Sequence, residues 1–371
     1  MRVLVLGAGA SVHAGYPRAV DLFSTLKRDA KESRSDHLKG AWDRWTRTVD
    51  TAPPEIRALL AAPNPEIVLS LLDLCEMFIN ENFEQVIPNE DRSEVVTQCL
   101  SGGQIDYRRF VTAAHAWLDT AGSAKNRIVL SLSEYFLWKH DEDRGYPDRR
   151  DYLRGLLQSL AVGDVVLTLN WDTTIERTLF EMGRWSPQDG YGFLKRLRVP
   201  EEFRDDRSLP VQVLTPSEIQ VLKLHGSVGW RSGSPHSLQF DNVFLQSLLA
   251  SATEVGLVDA DARTLDDTLP PLLAYPSFLK RVENRYIRSI WQRADAALRT
   301  ADIVEFWGYS LPASDSATGV LLQSLRWRNE AGEVRIFVHN PDGKHLDRFR
   351  QFFDGRAFLD KRTLGPIGHR E

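Results

Sequence analysis

The sequence predicts an α/β fold: a Rossmann-like, doubly wound, mostly parallel sheet with a large α-helical insertion between its first and second strands. Three observations predict it. Five short segments rich in β-branched or apolar residues, at 3–6, 165–169, 221–224, 303–307 and 334–338, are bounded by turn residues. Helical periodicity lies between several of them, and strands alternating with helices imply a parallel sheet covered on both faces. Between 19 and 162 there is no strand pattern. That stretch holds helix-like runs such as PEIVLSLLDLCEMFINENF, YRRFVTAAHAWLDTA and NRIVLSLSEYFLWKH, separated by breakers such as Pro53-Pro54 and Gly102-Gly103. The expected organisation is therefore an α/β domain of residues 1–18 and 163–360, a helical subdomain of 19–162, and a flexible basic tail of 361–371.

The first strand opens the chain. MRVLVLGAGAS has one positive charge and an apolar run that stops at glycines, too short for a signal or membrane segment. With 371 residues, 42% of them hydrophobic and 26% charged, the chain suits a soluble globular protein with a sizeable core. A net charge of -5 removes the basic excess usual in nucleic-acid binders, and the run KRLR at 195–198 reads as solvated surface. Cys75 and Cys99 are too few and too far apart for a disulfide framework or a zinc knuckle, which points to a reducing, cytoplasmic setting and no metal.

After the first strand, Gly7 and Gly9 lack Cβ atoms and would let backbone amides approach a pyrophosphate. A tight turn with no ligand is the alternative. An ordinary dinucleotide fingerprint needs a third glycine where Val12 stands and an acid about 20 residues on, so a standard dehydrogenase is disfavoured. The second strand delivers Asn170 and Asp172 to its end in VVLTLNWDTTIERTLF. Asp172 there is either a helix cap or a site residue, and Glu176 fits a capping box begun at Thr173. Asn170 has no capping duty once Asp172 and Thr173 are present. The third strand ends at His225 in VLKLHGSVGW, before a glycine-serine-glycine stretch that reads as an open turn rather than a buried strand. His225 is either a structural residue or a proton acceptor near neutral pH. The hydrolase elbow GxSxG fails because His225 lies where its first glycine should be, and none of the nine histidines has recurrent metal-ligand spacing. The fourth strand ends in Gly308, Tyr309 and Ser310, with Ser314 or Asp315 as the next helix cap, and the fifth ends at Asn340. Five polar or small strand ends at one sheet edge make a ligand cleft.

Taken together, GAGAS, Gly15-Tyr16-Pro17, TLNWD, LHGS, WGYS and a late strand ending in Asn resemble the sirtuin-like family, in particular its divergent bacterial antiphage-defence branch. The matches run from Gly7 to Asn340. The resemblance implies NAD as substrate, bound by Gly7, Ala8, Gly9, Ser11, Pro17, Thr168, Gly308, Ser310 and Asn340, with Gly7, Gly9 and Ser11 at the pyrophosphate and Ser310 and Asn340 toward the adenosine half. It implies Asn170, Asp172 and His225 as the catalytic set: Asn170 orients ribose or water, Asp172 stabilises the developing cation or positions nicotinamide, and His225 takes a proton. Two departures bear on the reaction. Arg18-Ala19-Val20 stands where deacylases carry Asp-Phe-Arg, and the paired CxxC motifs of their zinc module are absent. NAD hydrolysis, rather than lysine deacylation, is the expectation. The rival readings are a nucleotide-sensing module without turnover and a structural subunit beside an ATPase, nuclease or Argonaute-like partner. A homo-oligomer is also expected, and direct nucleic-acid or membrane binding is not.

Overall fold

The computed structural model describes residues 1–18, 21–33, 35–54, 57, 124–143, 147–195, 197–198, 216–241, 244–245, 248, 258–259, 269, 271–274, 284–312 and 315–361. The first strand, β1 (Arg2–Leu6), is buried on both faces, as its unbroken apolar run requires of a central parallel strand. It pairs in parallel with β2 (Val165–Thr168) on one side and β9 (Ile303–Trp307) on the other. Beyond β2 lies β4 (Gln220–Lys223), while the intervening β3 (Leu197–Arg198) pairs outside this sheet with β7 (Val258–Asp259), and beyond β9 lie β10 (Arg335–His339) and β11 (Phe358–Asp360), every pairing within the sheet again parallel. The order β11-β10-β9-β1-β2-β4 is the doubly wound arrangement in which the chain starts in the middle, runs outward one way, then returns and runs outward the other. Its switch point falls between β1 and β9.

The five expected strands are all present, within a residue or so of their predicted ends. The sixth, β11, was not expected. With three residues, two of them apolar, it is too short for a periodic signal.

The helices that cover the sheet follow the 3.6-residue repeat. In α6 (Arg285–Thr300), Ile287, Ile290, Ala294, Ala297 and Leu298 form one buried stripe, and Asn284 caps the start by accepting the Tyr286 amide at 2.9 Å. In α9 (Gly343–Phe352), Leu346 and Phe349 are buried and Asp342 caps the start through the Lys344 amide at 2.8 Å. Between these, α7 (Ser316–Leu321) and α8 (Gln323–Glu330) connect β9 to β10.

Between β1 and β2 the described residues form helices and no strand: α1 (Leu22–Glu32), α2 (Asp36–Asp50), α3 (Ala124–Asp143) and α4 (Asp151–Gln158). The expected helix NRIVLSLSEYFLWKH lies in α3, whereas the other two expected helices fall outside the described residues. Cys75 and Cys99 fall outside them too. Helices α1, α2 and α3 share a second core of Leu22, Phe23, Leu26, Leu38, Trp45, Ile128, Leu132, Tyr135 and Phe136, which Trp171 and Val228 join from the sheet side. Helix α4 contributes Tyr152, Leu153 and Leu157 to the sheet's own core instead. No described helix is long and apolar enough to cross a membrane.

Two expectations give way here. GSVGW is not an open turn. It forms most of β5 (Gly226–Arg231), a buried strand antiparallel to β6 (Gln239–Phe240) and β8 (Pro271–Leu273). Its glycines weaken the strand pattern in the sequence, but packing demands them: a Cβ on Gly226 would lie 2.1 Å from the Leu272 carbonyl oxygen, and one on Gly229 2.7 Å from the Phe244 ring. Nor is Lys195 part of a solvated run. It is 4% exposed, and its ammonium donates to the Leu238 carbonyl at 2.8 Å, since a buried charge must find acceptors.

Candidate functional site

Because all six strands are parallel and in register, their C-terminal ends share one edge. Leu6 is opposite Thr168 and Trp307, Thr168 is opposite Lys223, and Trp307 is opposite His339. Gly7, Gly308 and Asn340 each lie one residue past those partners, and Asn170 and His225 each lie two past. Ligands of doubly wound sheets collect at this edge, at the switch point.

The switch point itself is closed by backbone. The amide of Gly7 donates to the Trp307 carbonyl, and that of Gly9 donates to the Gly308 carbonyl, both at 3.0 Å. A Cβ on Gly7 would lie 2.6 Å from Tyr309 Cα, and one on Gly9 2.8 Å from Gly308 Cα. The two glycines therefore let the β1 turn and the β9 turn interlock, and their amides are engaged there. After Gly7 the chain makes a 3-10 turn, Ala8–Ser11, with Ala8 exposed and Ser11 buried. Tyr152 of α4 holds this turn by donating to the Ala10 carbonyl at 2.7 Å. Pro17 is half-buried beyond it.

Asn170 ties β2 to this turn. Its Nδ2 donates to the Gly7 carbonyl at 3.0 Å and to Ser11 Oγ at 2.9 Å, while its amide donates to Thr168 Oγ1 at 3.1 Å. The carboxamide oxygen Oδ1 is buried with no hydrogen-bond partner among the described residues. A buried acceptor left empty costs about 1–3 kcal/mol, so this oxygen is where a donor on a bound group would be accepted.

Asp172 caps α5 (Thr174–Glu181), with its Oδ1 accepting the Thr174 amide at 3.0 Å. The capping box does not form. Thr173 makes no side-chain cap, and Glu176 turns inward to a fully buried ion pair with Lys223, 2.8 Å from Oε1 to Nζ. Burial pushes the Glu176 carboxyl up, and Lys223 opposes that shift. Tyr191 also donates to Glu176 Oε1, at 3.1 Å. Lys223 Nζ donates in addition to the Asp172 carbonyl, so the pair fixes the backbone that carries Asp172. Lys223→Met is expected to cost about 3–5 kcal/mol in urea unfolding by stranding a buried carboxylate, and Lys223→Met with Glu176→Leu to recover most of it.

His225 occupies the two-residue turn between β4 and β5. It is 4% exposed, and its carbonyl accepts the Ala274 amide at 2.8 Å. Its Nε2 lies 3.3 Å from Asp315 Oδ2, an ion-pair distance without hydrogen-bond geometry. That carboxylate, 2% exposed, accepts the Tyr309 hydroxyl at 3.1 Å. Asp315 stands at the N-cap of α7, where sequence reading expected a cap, yet its side chain makes no cap hydrogen bond. Its pairing with a histidine on another strand carries no signal in the sequence.

On the far side of the edge, Asn340 Nδ2 donates to the Tyr309 carbonyl at 3.0 Å and its Oδ1 accepts the Asp342 amide at 3.0 Å. Ser310 is half-buried, and its carbonyl accepts Arg348 Nη1 at 3.3 Å. The structure thus brings Gly7, Ser11 and Asn170 into one contact group, and joins His225 and Asn340 through Tyr309 and Asp315. Asn170, Asp172 and His225 are all more than nine-tenths buried, and the Val228 amide of β5 donates to the neighbouring Trp171 carbonyl at 3.0 Å. An open groove of about 380 Å³, lined by Asp189, Phe193, Leu194 and Arg293, lies at the opposite end of β4 beside Gln220.

Among solved structures, a crystal structure of Sir2 in complex with the inhibitor EX-527, 2'-O-acetyl-ADP-ribose and a deacetylated p53 peptide aligns with 98% of this chain and 89% of that chain, at 12% identity and a TM-score of 0.31. No family model matches the chain, and no curated protein matches it either.

Proposed function

We propose that this chain is an NAD hydrolase that cleaves the nicotinamide–ribose bond. What supports the reading is the convergence of Gly7, Ser11, Asn170, Asp172, His225 and Asn340, the residues of the sirtuin-like resemblance, on one parallel-sheet edge at the switch point where dinucleotides bind. In the reaction the C1'–N bond breaks and its electron pair passes to the pyridinium nitrogen, releasing neutral nicotinamide. Water adds at C1', and its proton leaves to His225, giving ADP-ribose. The oxocarbenium-like ribose is met by the Asp172 carboxylate, and Asn170 Oδ1 accepts from a ribose hydroxyl or the attacking water. The Ala8–Ser11 turn and Thr168 adjoin the pyrophosphate, and Pro17 lies near it, while Gly308, Ser310 and Asn340 reach the adenosine half. No metal takes part.

The wider setting belongs to the same proposal: a cytoplasmic effector of bacterial antiphage defence that acts by NAD depletion. It is silent until a partner or a phage signal activates it, and it works as a homo-oligomer, with a protein partner such as an ATPase or an Argonaute-like protein, or both. The burial of Asn170, Asp172 and His225 fits a resting state, because NAD reaches them only after their cover opens. The division into an NAD-binding domain of 1–18 and 163–360, a helical subdomain of 19–162 and a tail of 361–371 goes with it, although α4, inside the 19–162 stretch, packs in the sheet's core.

The test is direct. Purified full-length protein, alone and with its activating partner, is incubated with NAD and free nicotinamide is measured. Wild type is expected to release nicotinamide and Asn170→Ala to release none, with circular dichroism unchanged. Because Asn170 Nδ2 satisfies two buried acceptors, the variant is also expected to lose about 1–3 kcal/mol of stability. Wild-type turnover by Asn170→Ala would remove the mechanism. Exhaustive chelation is expected to leave both the melting temperature and nicotinamide release unchanged, and loss of either would mean that a metal holds the fold or the site.

A further inference from the structure

We propose that helix α3 is the cover of the site and Phe136 its latch, so that release of α3 from the strand ends is what admits NAD. This rests on the NAD-hydrolase reading for its catalytic consequence, but the latch itself is a property of the resting protein.

The seat of α3 carries the proposal. Asn170 and Asp172 flank Trp171, whose side chain belongs to the core of α1, α2 and α3 rather than to that of the sheet. There the Trp171 ring meets Phe136 of α3 edge to face, with centroids 6.2 Å apart and planes at 88°. The same Phe136 ring stacks on Tyr16 at 5.9 Å and 12°. Tyr16 follows the turn after β1, and its amide donates to the Ser11 carbonyl at 3.2 Å. One phenyl ring thus packs against both segments that the Asn170 side chain joins, the β1 turn and the end of β2. Helix α3 packs against β5 and β8 as well, and β5 starts at Gly226, the residue after His225. Val228 of β5 adds its side chain to the same core. Asn170, Asp172 and His225 therefore all lie on segments that α3 holds.

Two further observations suit a cover that lifts. Trp171 Nε1 is buried with no hydrogen-bond partner among the described residues, a donor that water satisfies once α3 moves away, which offsets part of the cost of opening. Helix α3 is also tied to the other two helices. The Tyr135 hydroxyl donates to Asp29 of α1 at 3.0 Å, Lys139 pairs with the same carboxylate at 3.2 Å, and Glu134 pairs with Arg44 of α2 at 2.6 Å. A displacement of α1 or α2 is passed through these contacts to Phe136.

The experiment uses the full chain without a partner. Hydrogen–deuterium exchange is read in peptides spanning 7–17 and 168–174, and nicotinamide release is read on the same preparations. Phe136→Ala is expected to speed exchange in both segments by about tenfold or more and to release nicotinamide about tenfold faster than wild type, as the open population grows. Phe23→Ala is the control: it removes a similarly buried ring of the same core, one that stacks on Trp45 at 4.0 Å, and is expected to leave both readouts near wild type. Phe136→Leu keeps an apolar side chain without the ring faces and serves if Phe136→Ala does not fold, with both readouts moving the same way by a smaller factor. Exchange unmoved in the folded variant, or raised as much by Phe23→Ala, would overturn the latch. So would opened segments with release no faster than wild type, in a protein whose activated wild type does turn NAD over. Absence of nicotinamide release from activated wild type, with both segments opening as expected, would instead overturn the hydrolase reading and leave the cover standing.

Discussion

His225→Ala is expected to lower NAD turnover by roughly 10²–10⁴-fold, the usual worth of a positioned proton transfer, while NAD still binds. The loss has a second component that the structure makes visible. Removing the imidazole takes one partner from the buried Asp315 carboxylate, so stability is expected to fall by about 1–3 kcal/mol as well. The two components separate when thermal stability, NAD affinity by calorimetry and nicotinamide release are read on one preparation in the activated state. If His225 served only to hold the β4–β5 turn, stability and affinity would fall together and kcat at saturating NAD would stay near wild type. That result would decide against the base.

Gly308→Ala is expected to be among the most damaging single methyls at the described glycines. Gly308 has φ +63°, a left-handed conformation that costs an L-residue about 1 kcal/mol even in open space. Here the space is not open. The added Cβ would lie 2.4 Å from the Ala10 amide nitrogen and 2.5 Å from the Gly9 carbonyl carbon, and neither backbone atom can swing aside as a side chain could. The turns after β1 and β9 must separate, losing the bond from the Gly9 amide to the Gly308 carbonyl. A cost of about 3–5 kcal/mol in urea unfolding is expected, with turnover abolished in whatever remains folded. Gly332→Ala is the control: it has φ +74° and nothing within 4 Å of the added Cβ, so strain alone applies. Equal losses in the two variants would show that conformation, not the interlock, is what Gly308 supplies.

What the sequence made legible follows from the physics of parallel sheets. Central strands are buried on both faces, so β1, β2 and β9 read as short apolar runs. The polar residue that ends each run stands out because nothing in the strand calls for it. Asn170 and Asn340 were found that way, and so was His225. Features that depend on partners distant in sequence were not legible. Glu176 has the spacing of a capping residue but pairs with Lys223, and Lys195 belongs to a run of charges but is buried with its ammonium on the Leu238 carbonyl. Asp315 and His225 meet only because α7 begins beside the end of β4. Where glycines are required by close contact, as at Gly226 and Gly229, the need for them erases the strand pattern they sit in.

The position of β1 has a consequence for how the molecule is made. Among the six strands of the sheet, the one synthesised first is an inner strand, and one of its two edges waits for β9, about three hundred residues later. At about 5–20 residues per second, that is on the order of 15–60 seconds of synthesis with VLVL unpaired along one side, a stretch that needs protection from premature association. Contacts this remote in sequence also slow closure of the sheet once the chain is complete. The delay places the proposed chemistry under a temporal rule. A nascent or prematurely terminated chain that stops before residue 340 lacks the Tyr309–Asn340 contact that spans the strand ends, so the edge proposed to bind NAD is joined only after that residue has been made.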